Sequence, residues 1–422
     1  MPKRPPGRLL GLGPRVGPRP TRGWAPPAGS VYSAAVSSTA WAAAAVDETL
    51  DPVQALGRAS AEVLERLGES PELVIGFVAA AHGASPRQLA DWSRGLAGGR
   101  RRVIVQVEGL LSQAGEHTAT PAVAVLGLTG DVGEGDAVHS FDHARGRECE
   151  LGDELVEYFG DLTADDLVVV IADAHALDAR KLAAGLGSCG PAGLLGLGVE
   201  GPEGGGAAHA VDGEAFSAGA VAIRLRPPSE FRCALAPATA LYAARTVTRS
   251  QDNWILELDG VSALEEFRDA AGTLWDDERR AARSVLVARP ARPGGPPDAA
   301  LVRAVVGVDE ARAAIALSEA VEPGERVAFA RRDPIAAREA MAAAAERLRP
   351  PAGTDPGAGL GLAATCRARG EPLFGHMGIE SGYLAHAFEP LPWLGLVGSY
   401  QLVAGAHGPN LLTHTSALVR LS

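Results

Sequence analysis

Leu73-Val-Ile-Gly-Phe-Val78, Ser85-Pro86 and Val103-Ile-Val-Gln-Val107 decide the fold class of this chain. The two apolar runs are continuous rather than alternating, the pattern of strands covered on both faces. Ser85 is an N-cap and Pro86 suits the first helical position. The periodicity they open predicts a helix through Leu96, ended by Gly98-Gly99. Strand, helix and strand in one short stretch is the unit of an α/β layer.

The same alternation extends in both directions. Val31-Tyr-Ser-Ala-Ala-Val36 reads as a first short strand. Asp51-Pro52 caps an amphipathic helix that runs to Gly68, with Val53, Leu56, Val63, Leu64 and Leu67 on one side. Ala122–Leu128 and Leu167–Ala172 predict strands; Leu151–Phe159 and Ala176–Leu186 predict helices. The second half predicts strands at Trp254–Gly260, Ser284–Val287, Leu301–Val306 and Arg326–Ala330. Helices are expected at Ala263–Ala271 and, capped by Asp333-Pro334, up to Leu348. Strands follow to the C-terminus, and no short-period repeat is evident. The expected architecture is α/β, two mixed-sheet layered domains, at residues 30–250 and 251–422.

Bulk composition agrees. A length of 422 residues predicts two or three domains, and 46% hydrophobic with 21% charged residues is globular. A formal charge of −12 argues against nucleic-acid or anionic-membrane partners. No apolar run reaches the ~18 residues of a membrane span, so no membrane insertion is expected. Cys149, Cys189, Cys233 and Cys366 form no CxxC pair and read as reduced thiols. Cytoplasmic location is expected. Residues 1–29 stand apart: Lys3, Arg4, Arg8, Arg15, Arg19 and Arg22 among prolines and glycines, without an acidic residue before Asp47. They read as a disordered extension or, alternatively, an organelle-targeting peptide.

Three motifs fail on context. Gly196-Leu-Gly198-Val-Glu-Gly201 matches the dinucleotide string, but Pro202 and Gly204-Gly-Gly206 follow where a helix must begin. His139 and His143 lie near a strand end, without an obvious third ligand for a metal. Gly187-Ser188-Cys189 follows a helix, the reverse of a nucleophile elbow. No cofactor and no metal are expected.

Several segments, in order, resemble the FIST family, whose domains occur in bacterial signalling proteins and in F-box only proteins. Ser33-Ala-Ala-Val-Ser-Ser-Thr39 and Glu72-Leu-Val-Ile-Gly-Phe-Val-Ala-Ala-Ala-His82 resemble the start of the N-terminal FIST domain. Val247-Thr-Arg-Ser-Gln-Asp-Asn-Trp-Ile-Leu-Glu-Leu-Asp-Gly260-Val-Ser-Ala-Leu264 resembles the junction of the two domains. Gly324–Ala337, Cys366-Arg-Ala-Arg369-Gly370, Leu373-Phe-Gly375, Gly395-Leu-Val-Gly398 and Leu412-Thr-His414-Thr resemble the C-terminal domain. The resemblance implies a small-ligand-binding sensory module, with amino acids or related metabolites as ligands. It also implies a separate signalling protein as partner. Candidate pocket residues are His82, Cys366, Arg369, Gly370, Gln401 and His414. Arg369 could clamp a ligand carboxylate in bidentate fashion. Gln401 stands where the family carries a glutamate, which removes a charge. Ala236-Pro-Ala-Thr-Ala-Leu-Tyr242 replaces another family run, so the pocket is expected to be remodelled. The alternatives are an enzyme using Cys366 with His414 or His407, and a ligand-free scaffold.

Overall fold

The computed structural model describes residues 42–129, 137–160, 162–227, 230–277, 281–282, 284–292, 294–349 and 359–422. The arginine-rich start and the expected Val31–Val36 strand lie outside these residues. The helix caps read from the sequence are formed. Asp51 accepts from Val53 and Gln54 N–H and starts α1 (Pro52–Leu67), Ser85 closes a capping box on α2 (Pro86–Ser93), and Asp333 caps α6 (Pro334–Leu348). Three expectations shift. α2 ends at Ser93, capped at Arg94, rather than running through Leu96. Val53 is 54% exposed on the first turn, and α4 begins at Ala179 rather than Ala176 because Asp178 is the residue whose carboxylate caps it.

The strands repeat one plan three times. The first set is β1 (Ala42–Asp47), β2 (Leu73–Ala79), β3 (Arg101–Val107), β4 (Gly109–Ser112), β5 (Gly115–His117) and β6 (Val123–Leu128). The second is β7 (Val138–Phe141), β8 (Leu167–Asp173), β9 (Gly193–Val199), β10 (Ala208–Val211), β11 (Glu214–Ser217) and β12 (Ala220–Leu225). The third opens with β13 (Phe231–Pro237) and, after an insertion, closes with β22 (Leu360–Cys366), β23 (Trp393–Gly398), β24 (Tyr400–Val403), β25 (Asn410–Leu412) and β26 (Thr415–Leu421). Three six-stranded sheets result, with the orders β1-β6-β2-β3-β10-β11, β7-β12-β8-β9-β24-β25 and β13-β26-β22-β23-β4-β5. Each has one parallel pair, and that pair is joined by a helix: β2/β3 by α2, β8/β9 by α4 (Ala179–Leu186), β22/β23 by α7 (Ile379–Phe388). A helix also links the first and second strands of each set: α1, α3 (Leu151–Phe159) and α6. Each set donates its hairpin to another set's sheet, in a cycle: β4-β5 joins β23, β24-β25 joins β9, and β10-β11 joins β3.

Both faces of each sheet are therefore covered, which is why the strands are uninterrupted apolar runs. Inner faces share one core that includes Ile75, Phe77, Ile171, Leu197, Leu362 and Leu396. The outer faces lie under their own helices: Leu56 and Leu89, Leu155 and Leu182, Met341 and Leu384. Burying each such side chain contributes about 1.5–3 kcal/mol.

The insertion lies between β13 and α6. It comprises β14 (Thr239–Leu241), β15 (Arg245–Gln251), β16 (Trp254–Leu258), β17 (Val261–Ser262), α5 (Ala263–Ala271), β18 (Val285–Pro290), β19 (Pro297–Asp309), β20 (Ala314–Leu317) and β21 (Arg326–Arg332). β15, β16, β20, β19, β18 and β21 pair antiparallel in that order, and β21 pairs back to β15, closing a barrel. Its own core includes Val247, Ile255, Phe267, Ile315 and Phe329. The molecule is α/β with mixed sheets, as the sequence predicts, and the barrel adds an antiparallel element. The division at 250/251 falls within β15. Among the described residues no helix is long and apolar enough to cross a membrane.

Candidate functional site

The strand registers define equivalent residues at the C-terminal ends of the three parallel pairs. Ala79 pairs with Val107, Asp173 with Val199, and Cys366 with Gly398. The next residues are Glu108, Glu200 and Ser399, and these three meet. Ser399 Oγ lies 2.7 Å from Glu108 Oε1 and 3.1 Å from Glu200 Oε1, while Glu200 N–H donates to Glu108 Oε1 at 3.1 Å. Arg367 Nη1 reaches Glu200 Oε2 at 2.6 Å and Glu108 Oε2 at 3.4 Å. A hydroxyl carries one proton, so Ser399 serves one carboxylate at a time. The two glutamates are polarised in opposite directions. Burial pushes the Glu108 carboxyl up, against Ser399 and Arg367. The Arg367 hydrogen bond holds Glu200 down.

Beside this cluster, a 320 Å³ cavity separates the third repeat from the barrel, lined by Cys366, Arg367, Ser399 and His414 on one side and Val302 and Glu319 on the other. Cys366 ends β22; its thiol donates to Ser399 O at 3.7 Å and sits near the backbone N–H groups of Ala368 and His414. Burial still pushes the thiol up. His414 has a left-handed φ of 54°, and its Nδ1 has no partner among the described residues. Burial, with Arg332 and Arg369 nearby, lowers its pKa to about 4. A neutral imidazole beside an undissociated thiol is not an activated nucleophile. Arg332, at the end of β21, donates to the carbonyls of Ala368 and Pro372 and has no carboxylate partner among the described residues.

Arg369 lies under the cavity. Its side chain is wholly buried in an ion pair with Glu380, and it also donates to Ala236 O at 2.9 Å and His414 O at 3.4 Å. Glu380 accepts in addition from Ser416 at 2.7 Å and Thr365 at 3.1 Å. The expected carboxylate clamp is thus engaged with an internal carboxylate, tying α7 to β22, β26 and β13. Gly370 (φ 58°) opens the helical turn after it, with Glu116 3.5 Å from where its Cβ would stand. Gln401 is fully buried on β24 between Leu197 and Leu412, both amide atoms without partners among the described residues. His82 follows β2 in the first repeat, half-buried, bonded to the Ala122 carbonyl and pushed down by burial. Cys366, Arg369, Gly370 and His414 are therefore brought together, whereas His82 belongs to another repeat. His407 lines a separate 1050 Å³ cleft between α4, β18 and the loop before β25.

The rejected motifs are explained. Gly196 and Gly198 lie within β9, where a Cβ on Gly198 would stand 2.1 Å from the Tyr400 ring. His139 bonds Glu154 at 3.2 Å, His143 is exposed, and no metal-binding group of side chains occurs among the described residues. Glu108, Glu200, Ser399, Arg367 and Arg332 were not anticipated. The usable signal is Val107-Glu-Gly109 recurring as Val199-Glu-Gly201.

No curated protein matches the chain. The FIST N domain model matches residues 72–261 and the FIST C domain model residues 263–398. Their border, at Ser262, lies inside the barrel. FIST domains are associated with sensory signal transduction and small-ligand binding. Matched almost end to end by the two models from Glu72 to Gly398, the chain belongs to the FIST family.

Proposed function

We propose that this protein is a sensory module that binds a small ligand, an amino acid or related metabolite, in the cavity beside Cys366, Arg367, Ser399 and His414. One observation carries the reading. The cavity lies at the carboxyl ends of a parallel strand pair, where α/β sheets hold ligands, and behind its lining residue Ala368, whose carbonyl it bonds, stands a cation, Arg332, without an acidic partner among the described residues. A ligand carboxylate complements Arg332 and the free His414 Nδ1. A ligand ammonium complements Glu108 and Glu200, exchanging with Arg367. Because Val302 and Glu319 of the barrel form the facing wall, ligand contact biases the barrel against the three-sheet core. That bias is the signal a separate partner reads.

A thermal-shift screen against amino acids and related metabolites tests this. A true ligand at 100 times its Kd stabilises the chain by about 2.7 kcal/mol. Ala304→Trp, which fills the cavity from an exposed barrel position, should abolish the shift. A flat screen, or a shift retained in Ala304→Trp, contradicts the reading.

A further inference from the structure

We infer a second ligand site in this chain, in the second repeat. It is a 290 Å³ cavity at Asp173, His175, Arg145 and Ser217 that takes a small carboxylate bearing a hydrogen-bond donor on the neighbouring carbon. The site follows from the repeat. Asp173 occupies the register position of Cys366, and it precedes Ala174-His175-Ala176 as Cys366 precedes Arg367-Ala368-Arg369. Across the cavity, Ser217-Ala218 corresponds to Thr413-His414, because Ala220 pairs with Ala172 as Ser416 pairs with Thr365. Ala218 and His414 share a left-handed φ, 51° and 54°. The same strand ends and the same turn thus frame two cavities of similar size.

The side chains differ in what they have left to bond. Asp173 is 3% exposed, and its Oδ1 accepts from His175 and Ala176 N–H at 2.9 and 3.2 Å. Its Oδ2 has no hydrogen bond within the described protein and stands against Gly206, where a side chain would press upon it at 2.9 Å. Arg145 lines the same cavity without an ion pair among the described residues. His175 and Ser217 line it too, and neither side chain makes a hydrogen bond among the described residues. The remaining wall is small: Ala176, Ala207, Ala208 and Pro86. A carboxylate oxygen that opens on the cavity without a protein donor keeps acceptor capacity that a ligand's donor can fill. A guanidinium across the same space is the usual anchor for a carboxylate. The chemistry that satisfies both is a carboxylate facing Arg145 with a hydroxyl or ammonium facing Asp173 Oδ2.

Isothermal titration of the full chain with L-serine, L-lactate and propionate tests this, since the last lacks the donor. At least one donor-bearing probe should bind about tenfold more tightly than propionate, the worth of a hydrogen bond to a charged group. Serine ahead of lactate assigns the donor as ammonium; the reverse order assigns it as hydroxyl. Asp173→Asn keeps the Oδ1 acceptor that holds the turn and should erase the preference. Arg145→Gln, at an exposed position, should weaken every probe. The preference should survive in Ala304→Trp, which separates this site from the Cys366 cavity. Equal binding of propionate in the wild type, a preference retained in Asp173→Asn, or no binding by any probe overturns the inference. Binding lost in Ala304→Trp but kept in Asp173→Asn also overturns it, while leaving the Cys366 reading intact.

Discussion

The second and third repeats end their second strands on the same backbone and put opposite side chains there. Asp173-Ala174-His175-Ala176 alternates with small residues at the second and fourth positions; Cys366-Arg367-Ala368-Arg369 has its charges at those positions. In the third repeat the charges turn to protein partners: Arg367 to Glu108 and Glu200, Arg369 to Glu380. In the second, Asp173 and His175 face a cavity with capacity to spare. The first repeat, Ala79-Ala-Ala-His82, is nearly blank. A common scaffold thus fixes where strand ends converge, and a few residues per repeat decide whether that place is braced or left open.

The sharpest way to break this contrast is to remove a brace. Arg369→Ala leaves Glu380 buried and unpaired and should cost about 3–5 kcal/mol in denaturant unfolding. Arg369→Met with Glu380→Leu should recover most of it, because replacing a buried pair by apolar residues is close to neutral. A double variant as unstable as the single would show that the hydrogen bonds to Ala236 O and His414 O carry the brace instead.

A smaller effect separates the two equivalent glutamates. Glu108 has a raised pKa in the folded chain, so its folded form binds more protons than its unfolded form. Its contribution to stability is lost as pH rises through 4.5 toward the folded value. Glu200 has a lowered pKa; its contribution is present above 4.5 and is lost as pH falls through the folded value. Glu108→Gln should therefore gain stability relative to wild type at neutral pH. Glu200→Gln should lose it, by about 1 kcal/mol or less because Arg367 is half exposed. Chemical denaturation between pH 4 and 8 measures both; the same sign for both variants would remove the polarity assigned to the cluster.

The smallest expected effect is on Cys366 reactivity. With its thiol buried and pushed up, iodoacetamide near neutral pH should modify exposed Cys149 well before Cys366. Rapid labelling of Cys366, read by peptide mass spectrometry, would restore the thiolate alternative.

Helices and strands were legible because their signals are local. Asp51-Pro52, Ser85-Pro86 and Asp333-Pro334 cap as expected, and Ala263–Ala271 and Leu151–Phe159 match to the residue. The threefold plan was not, because it lives in pairing between distant strands: β4 beside β23, β24 beside β9. The 94-residue span from Thr239 to Arg332 also breaks the spacing of the third repeat. Cys366, Arg369 and His414 could be named from a contiguous motif and a closing strand. Glu108, Glu200 and Ser399 meet only through the exchanged hairpins, and Arg332 arrives from the barrel. Gln401 was read as a pocket residue from a substitution in a motif; its burial between Leu197 and Leu412 follows from strand parity, which the motif does not display.

Hydrogen exchange of the full chain, with and without a saturating mixture of amino acids, tests most directly whether ligand binding couples the core to the barrel. The account predicts slowed exchange together at 366–370, at 411–414 and in β19 and β20 of the barrel, with α3 unchanged. Unchanged exchange at both the Cys366 turn and the facing barrel strands would contradict it.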